Sequence, residues 1–243
     1  MGNSVGGFAV LPRLESVKTV ERSVYDSLKS AIIQARLSPG QKLVTAKIAE
    51  ELGVSRMPVR EAIQRLEAEG FVTVKPFRGA EVTQLSWQDI REIYDIRMVL
   101  EGYAMKLAMS QPLERKIEAL ESLLRTAKEK VASGDLAEIE EIDDKFHKIL
   151  FSTCGSSRLE GLLRNLWEQC SYFRSVAALL RRDPLRSIRQ HEELIEVLRT
   201  RDVERAVEAV QAHTQVSRDT LISYLKNEHS ENQVDGEYRE VLS

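Results

Sequence analysis

Helical periodicity without β-type alternation runs through the longer, C-terminal part of this 243-residue chain, from residue 87 to about residue 227. Turn-forming residues interrupt this pattern five times, at 110–112, 133–134, 155–157, 183–184 and 200–202. The interruptions predict six helices, and the short linkers between them favour antiparallel packing of consecutive helices. Residues 86–227 are therefore predicted to form an all-α antiparallel helical bundle.

The first part of the chain combines shorter helical patterns with turns. A stripe of apolar residues predicts a helix over 17–36, and the turn residues Ser38–Gly40 follow it. Thr45 is predicted to cap a second helix over 46–52, because a threonine hydroxyl at this position can accept a hydrogen bond from a backbone N–H of the first turn.

A third helix and a pair of strands complete this part. Ser55 is predicted to cap a helix over 56–69, and Gly70 ends it with a residue that tolerates a left-handed backbone. Residues 71–85 alternate on both sides of a central turn, which predicts a β-hairpin. Residues 17–85 thus have the order of a winged helix-turn-helix, and the whole fold is predicted to be mainly α.

The chain ends and the cysteines limit the class of protein. Residues 1–16 lack the basic start of a secretion signal and are predicted to be a flexible leader, whereas the polar, acidic residues 228–243 are predicted to be disordered. No apolar run approaches the roughly 18 residues that a membrane span needs, so no membrane partner is expected. Cys154 and Cys170 show no CxxC spacing, so reduced thiols and a cytoplasmic location are expected.

The net charge of −3 is unevenly distributed along the chain. Residues 1–80 contain 12 Lys+Arg against 8 Asp+Glu, and the remainder contains 23 against 30. A basic first part and an acidic second part indicate that only the first part meets a polyanion such as DNA.

The predicted third helix has a basic face. Its apolar residues share one face, and the opposite face carries Arg56, Met57, Arg60 and Gln64. In a helix-turn-helix the N-terminal half of this helix enters the major groove, where arginine can bond guanine O6 and N7. The alternative is a solvated face with pairs such as Glu61 with Arg65. The hairpin favours DNA binding, because Gly79 at its tip lets the backbone approach phosphate or the minor groove and Arg78 can reach in.

Three of the four histidines fall in the predicted bundle. Asp143 and His147 are four residues apart and share one helical face, and His191 and His213 lie on later helices. A carboxylate with three imidazoles would suit Zn²⁺, Ni²⁺ or Mn²⁺ and would leave positions open for a ligand. The alternative is a set of ordinary core or surface residues, and Asp144 lies as near to His147 along the helix as Asp143 does.

The segment "KIAEELGVSRMPVREAIQRLEAEGFV" resembles the DNA-binding domain of the GntR family of bacterial transcription factors, over about Val20 to Val82. The resemblance implies that Arg56 and Arg60 read bases, that Ser55 and its neighbours hold phosphate, and that Arg78 and Gly79 make the wing contact. Members of the family often carry a DNA-contacting arginine where this chain has Ala46, and Lys47 points elsewhere on that helix.

The segments "YDIRMVLEGYAMKLA", "DDKFHKIL", "RQHEELIEVL" and "AVEAVQAHTQ" resemble the C-terminal FCD-type ligand-binding bundle of the FadR-like branch of this family. The resemblance implies that a divalent transition metal is held by Asp143, His147, His191 and His213. It also raises the possibility that Arg97 faces the cavity and binds the carboxylate of an effector; the alternative is an exposed Arg97–Glu101 salt bridge on the helix surface.

The resemblance and the charge pattern together predict a transcriptional regulator without enzymatic activity. A homodimer is expected to bind a palindromic operator in double-stranded DNA, as a repressor, and to respond to a small organic acid. Three alternatives remain open: a metalloenzyme such as a metal-assisted hydrolase, a direct metal sensor, and a bundle whose metal is purely structural.

Overall fold

The computed structural model describes residues 20–135, 138–181 and 184–241, so the leader predicted over 1–16 lies outside the described residues. The first described part comprises α1 (Val20–Ile33), β1 (Lys42–Leu43), α2 (Thr45–Glu51), α3 (Arg56–Ala68), β2 (Val72–Lys75) and β3 (Gly79–Val82). Six helices follow, α4 (Trp87–Ala108), α5 (Glu114–Ser133), α6 (Ile139–Ser152), α7 (Ser157–Arg181), α8 (Pro184–Thr200) and α9 (Val203–Val241). The predicted mainly α fold, a winged helix-turn-helix followed by a helical bundle, is confirmed.

Helices α1, α2 and α3 pack around a small apolar core of their own. Apolar residues recur at intervals of three and four on α1 and α3, so each helix buries one stripe against the others. Gly53 and Gly70 have φ angles of 64° and 83°, and each follows a helix end as predicted. Gly53 turns the chain between α2 and α3, and Gly70 turns it from the end of α3 into β2.

The start of α2 differs from the prediction. Thr45 already belongs to the helix, and Val44 occupies the N-cap with an extended backbone, φ −82° and ψ 103°. The predicted Thr45 cap is therefore wrong, because β1 leads directly into the helix and leaves Val44 as the last extended residue. Ser55 does occupy the N-cap of α3, but its side chain makes no capping hydrogen bond.

The wing is a three-stranded sheet rather than a simple hairpin. β3 lies between β1 and β2 and is antiparallel to both. The β2–β3 pair is the predicted hairpin, with Val72 opposite Val82 and Lys75 opposite Gly79. β1 was not predicted, because a strand of two residues is too short to show an alternation of apolar and polar residues.

The six predicted bundle helices enclose one large apolar core, to which each of them contributes side chains. α4 and α9 approach closely at Gly102, where a Cβ atom would lie 2.9 Å from Nε2 of Gln211. α9 continues to Val241, so residues 228–241 have helical backbone where the acidic composition predicts disorder. Most of the polar residues there are tolerated in helices, so composition by itself is a poor guide to where a helix ends.

Candidate functional site

The outer face of α3 carries the predicted DNA-contacting residues. Val59, Ala62 and Leu66 are each 0% exposed and hold the helix against α1. The opposite side exposes Arg56, Met57, Arg60 and Gln64, and Met57 is 60% exposed. The N-terminal half of α3 therefore presents two arginines on one exposed surface, at a spacing of one helical turn.

Arg65 has a different environment from Arg56 and Arg60. Its guanidinium carbon lies 3.7 Å from the centroid of the Tyr25 ring, and its Nε donates to Glu69 over 3.3 Å. Arg65 therefore anchors α3 to α1, and it forms ion pairs with Glu69 and, over 3.9 Å, with Glu21.

The tip of the wing exposes Arg78 and Gly79, together with Phe77, an aromatic residue that was not predicted to belong to the site. Phe77 is fully exposed, at 109% of its reference area, and has a φ of 62°. An exposed aromatic residue in a left-handed conformation is unfavourable in isolation. In the sequence, the position of Phe77 between Pro76 and Arg78 in the hairpin turn could have indicated that its side chain is exposed.

Three histidines from three helices meet in the bundle core. His147 lies on α6, His191 on α8 and His213 on α9, and their potential ligand atoms all lie within 4.8 Å of one another. Nε2 of His147 is 3.1 Å from Nε2 of His213. Nitrogens bound to one tetrahedral Zn²⁺ at about 2.1 Å lie roughly 3.4 Å apart, so the largest separation would have to contract by up to about 1.4 Å to bring all three onto one ion.

The contacts of His147 define which of its nitrogens carries the proton. Nδ1 lies 2.9 Å from the backbone carbonyl oxygen of Asp143, which can only accept, so Nδ1–H donates. Burial lowers the pKa of His147 well below 6.5, against the opposing effect of the Asp143 charge, and the ring is neutral near pH 7. Nε2 therefore presents a lone pair toward His213, as a metal ligand requires.

His213 completes the histidine cluster with a neutral ring. Burial, reinforced by the proximity of His191, lowers the pKa of His213 to about 4. Its Nδ1 is buried and has no hydrogen-bond partner among the described residues. A buried nitrogen without a partner is unfavourable, and a bound cation would remove that cost. The chemistry of this donor set therefore fits a divalent transition metal.

Asp143 lies at the edge of the histidine cluster. Its Oδ1 is 3.7 Å from Nε2 of His191 and its Oδ2 is 3.9 Å from Nδ1 of His147. Ser187 donates a long hydrogen bond of 3.4 Å to Oδ1. The neighbouring Asp144 instead accepts a 3.0 Å hydrogen bond from Nε1 of Trp167. Of the two carboxylates that the spacing left open, Asp143 is thus the one near both His147 and His191.

Arg97 and Glu101 form a buried ion pair on α4. Each is 1% exposed, and Nε of Arg97 donates to Oε1 of Glu101 over 2.9 Å. Thr214 of α9 also donates to Glu101. The alternative of a salt bridge on the helix surface is therefore wrong, because α7 and α9 cover this face of α4. Nη1 of Arg97 is buried and has no hydrogen-bond partner among the described residues.

Trp167 of α7 joins the ion pair to the histidine cluster. Its ring stacks on His147 with centroids 4.0 Å apart, and the guanidinium carbon of Arg97 lies 4.4 Å from its ring centroid. Tyr94 contacts the same guanidinium at 4.4 Å. No local pattern marked Trp167 as a site residue, because a tryptophan on an amphipathic helix is usually an ordinary core residue.

The next turn of α7 contacts the winged helix-turn-helix. Lys29 of α1 bridges Glu69 at the end of α3, over 2.7 Å, and Glu168 of α7, over 2.8 Å. Gln169 donates to the backbone carbonyl of Glu69 over 3.0 Å, and Asn165 donates to the same oxygen over 3.4 Å. Burial by itself would lower the pKa of Lys29, but the hydrogen bonds to Glu168 and Glu69 outweigh it and raise this pKa, so the ammonium group stays charged.

An apolar pocket adjoins the histidine cluster between α5, α6 and α8. Asp143 and His191 form part of its wall, together with Leu124, Ala127, Ile139, Ile142, Phe146, Ser187 and Ile188. The pocket beside Asp143 and His191 is therefore lined mainly by apolar side chains.

The fold and the site define a class of protein: a winged helix-turn-helix with an exposed arginine face, joined to an all-helical bundle that encloses a histidine cluster. Residues 20–82 match the family model described as bacterial regulatory proteins, gntR family. Residues 92–216 match the model of the FCD domain. The chain belongs to the GntR family of bacterial transcriptional regulators and carries an FCD domain.

Similar proteins agree with this assignment. The chain is 28% identical over 190 residues to the HTH-type transcriptional regulator YdhC of Bacillus subtilis strain 168, covering 78% of this chain and 85% of that protein. It is 26% identical over 203 residues to the HTH-type transcriptional repressor RspR of Escherichia coli K12, covering 84% and 89%. The solved structure of E. coli McbR/YncC has the same fold, with a TM-score of 0.71 at 24% identity, covering 87% of this chain and 99% of that one. In the part of the chain that the structure describes, no helix is long and apolar enough to cross a membrane.

Proposed function

We propose that this regulator is a metabolite-responsive repressor whose FCD domain binds a divalent transition metal and, next to it, a small organic acid. The observation that carries the proposal is the meeting of three imidazoles from α6, α8 and α9, with ligand atoms within 4.8 Å of one another; His147 and His191 are buried and His213 is half-buried. Few structural needs bring three histidines together in an apolar core, whereas Zn²⁺, Ni²⁺ and Mn²⁺ are all bound by imidazole.

The metal would be held by His147, His191 and His213, with Asp143 as the carboxylate ligand. His147 is oriented for this role by its Nδ1–H bond to the Asp143 carbonyl. When bound, the metal supplies a Lewis acid whose open positions accept a carboxylate oxygen. The donor set does not distinguish Zn²⁺, Ni²⁺ and Mn²⁺ from one another.

Arg97 is the proposed second contact of the effector carboxylate. It lies near the histidines, since its charge acts on His213 and its guanidinium lies over Trp167, which stacks on His147. Nη1 remains without a hydrogen-bond partner among the described residues, although Glu101 engages Nε. An organic acid would satisfy this donor in a charge-assisted hydrogen bond.

DNA binding is proposed to use α3 and the wing. Arg56 and Arg60 would contact base edges in the major groove, flanked on the same face by Met57 and Gln64. The serine at the α3 N-cap, Ser55, has no capping bond and would donate to phosphate. Arg78 and Gly79 at the exposed wing tip would follow the backbone or the minor groove. A homodimer would place two such surfaces on a palindromic operator, and the similarity to RspR, a named repressor, supports repression.

Regulation is proposed to pass through α7. Trp167 contacts His147 and Arg97, and two residues further on Gln169 holds the end of α3. An effector that binds differently to two positions of α7 would therefore bias the arrangement of the winged domains.

Gln169→Ala is expected to weaken this regulation selectively. The change removes the hydrogen bond to the Glu69 carbonyl, so the shift in operator affinity caused by the effector should shrink by about 0.5–2 kcal/mol, roughly 2- to 30-fold. Fluorescence anisotropy with labelled operator, with and without effector, measures it. Gln88→Ala, at an exposed position of α4, is the matched control and should leave the shift unchanged. An equal loss in both variants would contradict the α7 route.

The proposed function is tested by elemental analysis and native mass spectrometry of the purified protein, followed by separate titrations of metal and of candidate acids. The expected result is about one transition metal per chain and an acid-dependent fall in operator affinity. Operator binding that responds to metal alone would indicate a metal sensor. Unfolding on chelation without any response to acids would indicate a structural metal, and turnover of a substrate would indicate a metalloenzyme.

A further inference from the structure

The turn between β2 and β3 holds an aromatic residue in an unfavourable backbone conformation. The backbone N–H of Arg78 donates to the carbonyl oxygen of Lys75 over 3.0 Å, which closes a β-turn. Pro76 is the second residue of this turn and Phe77 is the third, with a φ of 62°. A proline followed by a residue with positive φ is the pattern of a type II turn, whose third residue is usually glycine or asparagine. Phenylalanine at this position therefore carries a conformational cost that either of those residues would reduce.

Packing of the Phe77 side chain does not offset this cost. Phe77 is 109% exposed, so its ring lies in water rather than against the described part of the chain. An exposed apolar side chain is ordinary by itself, whereas an exposed aromatic ring on an unfavourable backbone is a reason to look for a function. The fold thus presents this ring to a partner.

The neighbours of Phe77 indicate which kind of partner it meets. Arg78 follows it in the turn, is exposed and forms no ion pair with a described residue. Gly79 has a φ of 85°, and no atom beyond its chain neighbours lies within 4 Å of the place a Cβ would take, so the backbone beside the ring is open. In the minor groove of DNA, the negative potential attracts arginine and apolar side chains can insert between base pairs. The charge and the shape of the turn therefore fit a minor groove.

The wing is supported by the same core as α3. Val72 of β2 and Val82 of β3 are each 2% exposed and belong to one apolar cluster with Leu66 of α3. The backbone N–H of Phe71 also donates to the carbonyl oxygen of Leu66 over 2.9 Å. When α3 lies in a major groove, the fold therefore sets where the tip of the wing meets the duplex. A side chain that separates base pairs needs such support, because stacked base pairs resist separation.

We propose that Phe77 inserts its ring between two base pairs in the minor groove of each half-site and bends the operator toward the major groove. The proposal rests on the DNA contact of the wing proposed above, and it adds a residue that deforms the DNA. Inserted in this way, the ring leaves water and stacks on a base.

Insertion of Phe77 has a consequence for the operator sequence. Pyrimidine–purine steps such as TA and CA unstack more easily than other steps, so the cost of insertion depends on the bases at that point. Each half-site should therefore contain such a step at a fixed distance from the bases contacted by α3. Phe77 would then contribute to specificity through the deformability of the DNA, without a hydrogen bond to any base.

Measurement of DNA bending tests the proposal with the full-length protein. The probe is a duplex that the unmodified protein selects from a random-sequence library, with a donor and an acceptor dye at its ends and a fluorescent adenine analogue at the pyrimidine–purine step. Kinks of roughly 20–90° are typical of inserted apolar side chains. Binding of the unmodified protein should therefore raise energy transfer between the dyes, and unstacking should raise the emission of the analogue.

Phe77→Asn should lose both fluorescence changes and weaken operator binding about tenfold or more, because the ring no longer stacks on a base. The melting temperature should not fall, because asparagine tolerates a positive φ and the ring has no buried contact to lose. Phe77→Leu keeps an apolar side chain and should retain the bend, with an affinity within about threefold of the unmodified value. Val74→Thr changes another exposed apolar residue of the wing, preserves its branched shape and should change neither fluorescence signal.

Salt dependence separates the ring from the neighbouring charge. Arg78→Ala should reduce the slope of log Kd against log salt concentration by about 1, as expected for the loss of one cationic contact. Phe77→Asn removes no charge and should leave this slope unchanged.

Three results would overturn insertion by Phe77. Bending by Phe77→Asn equal to that of the unmodified protein, or a loss in Phe77→Leu as complete as in Phe77→Asn, would exclude it and leave DNA binding by α3 in place. A changed sedimentation coefficient of Phe77→Asn with unchanged bending would replace it by a protein contact. An unmodified protein that selects no sequence from the library would overturn both the insertion and the proposed operator binding.

Discussion

Replacing His191 with alanine is expected to remove the metal from the protein and abolish the response to the effector, while operator binding by the winged domain persists. Its ligand atom lies within 4.8 Å of those of the other two histidines and the residue is 2% exposed, so alanine removes one donor from the middle of the cluster. Loss of a residue that only orients a ligand already lowers metal affinity about 10- to 100-fold. Loss of the ligand itself should exceed that range. Elemental analysis after gel filtration and calorimetric titration of the metal measure the effect.

The result needs a control because His191 also packs in the core. Its ring stacks on Phe146 with centroids 4.1 Å apart, so alanine leaves a void as well as removing a ligand. His191→Asn retains more of the volume and should lose metal to a similar extent with a smaller fall in melting temperature. His229→Ala changes a histidine that lies outside the proposed site, and it should bind metal normally. Unchanged metal content in His191→Ala would exclude this residue from the site.

Local patterns in the sequence were sufficient for most of the fold. The six bundle helices follow from apolar periodicity and from Gly, Pro and Ser breaks, and both signals act over a few residues. The exposed and buried faces of α3 follow from the positions of Val59, Ala62 and Leu66 on one side of a single helix. Where the local signal was short or ambiguous, as at β1 and at the start of α2, the prediction failed.

The site depends on contacts that no local pattern records. The i, i+4 relation of Asp143 and His147 was visible, but the approach of His191 and His213 results from the packing of α6, α8 and α9. Only the resemblance to a known family connected them. The same spacing of Arg97 and Glu101 would serve an exposed or a buried pair equally well. The Arg97–Glu101 ion pair is buried because Trp167 of α7 and Thr214 of α9 pack over it.

Replacing Arg60 with alanine is expected to weaken specific operator binding by about 1–3 kcal/mol per half-site, the range for a bidentate contact to a base. Arg60 is exposed on α3, opposite the buried face, so the stability of the fold should not change. In a dimer on a palindrome the loss occurs twice, about 2–6 kcal/mol in total, which gives a fall in affinity of roughly 30- to 25,000-fold if the two half-sites act independently. Titration of labelled operator at fixed salt concentration measures the effect, and circular dichroism checks the fold.

Arg65 provides the matched control, because it is the same residue type on the same helix with different contacts. Its guanidinium packs on Tyr25 and bonds Glu69, so Arg65→Ala should lower the melting temperature and leave the preference for operator over random DNA intact. Arg60→Ala should do the reverse: the preference falls, while non-specific binding, which depends on phosphate contacts and salt, decreases only slightly. If the unmodified protein bound operator and random DNA with equal affinity, α3 would contact the DNA phosphate backbone without base-specific contacts. Arg60 would then contribute only its charge.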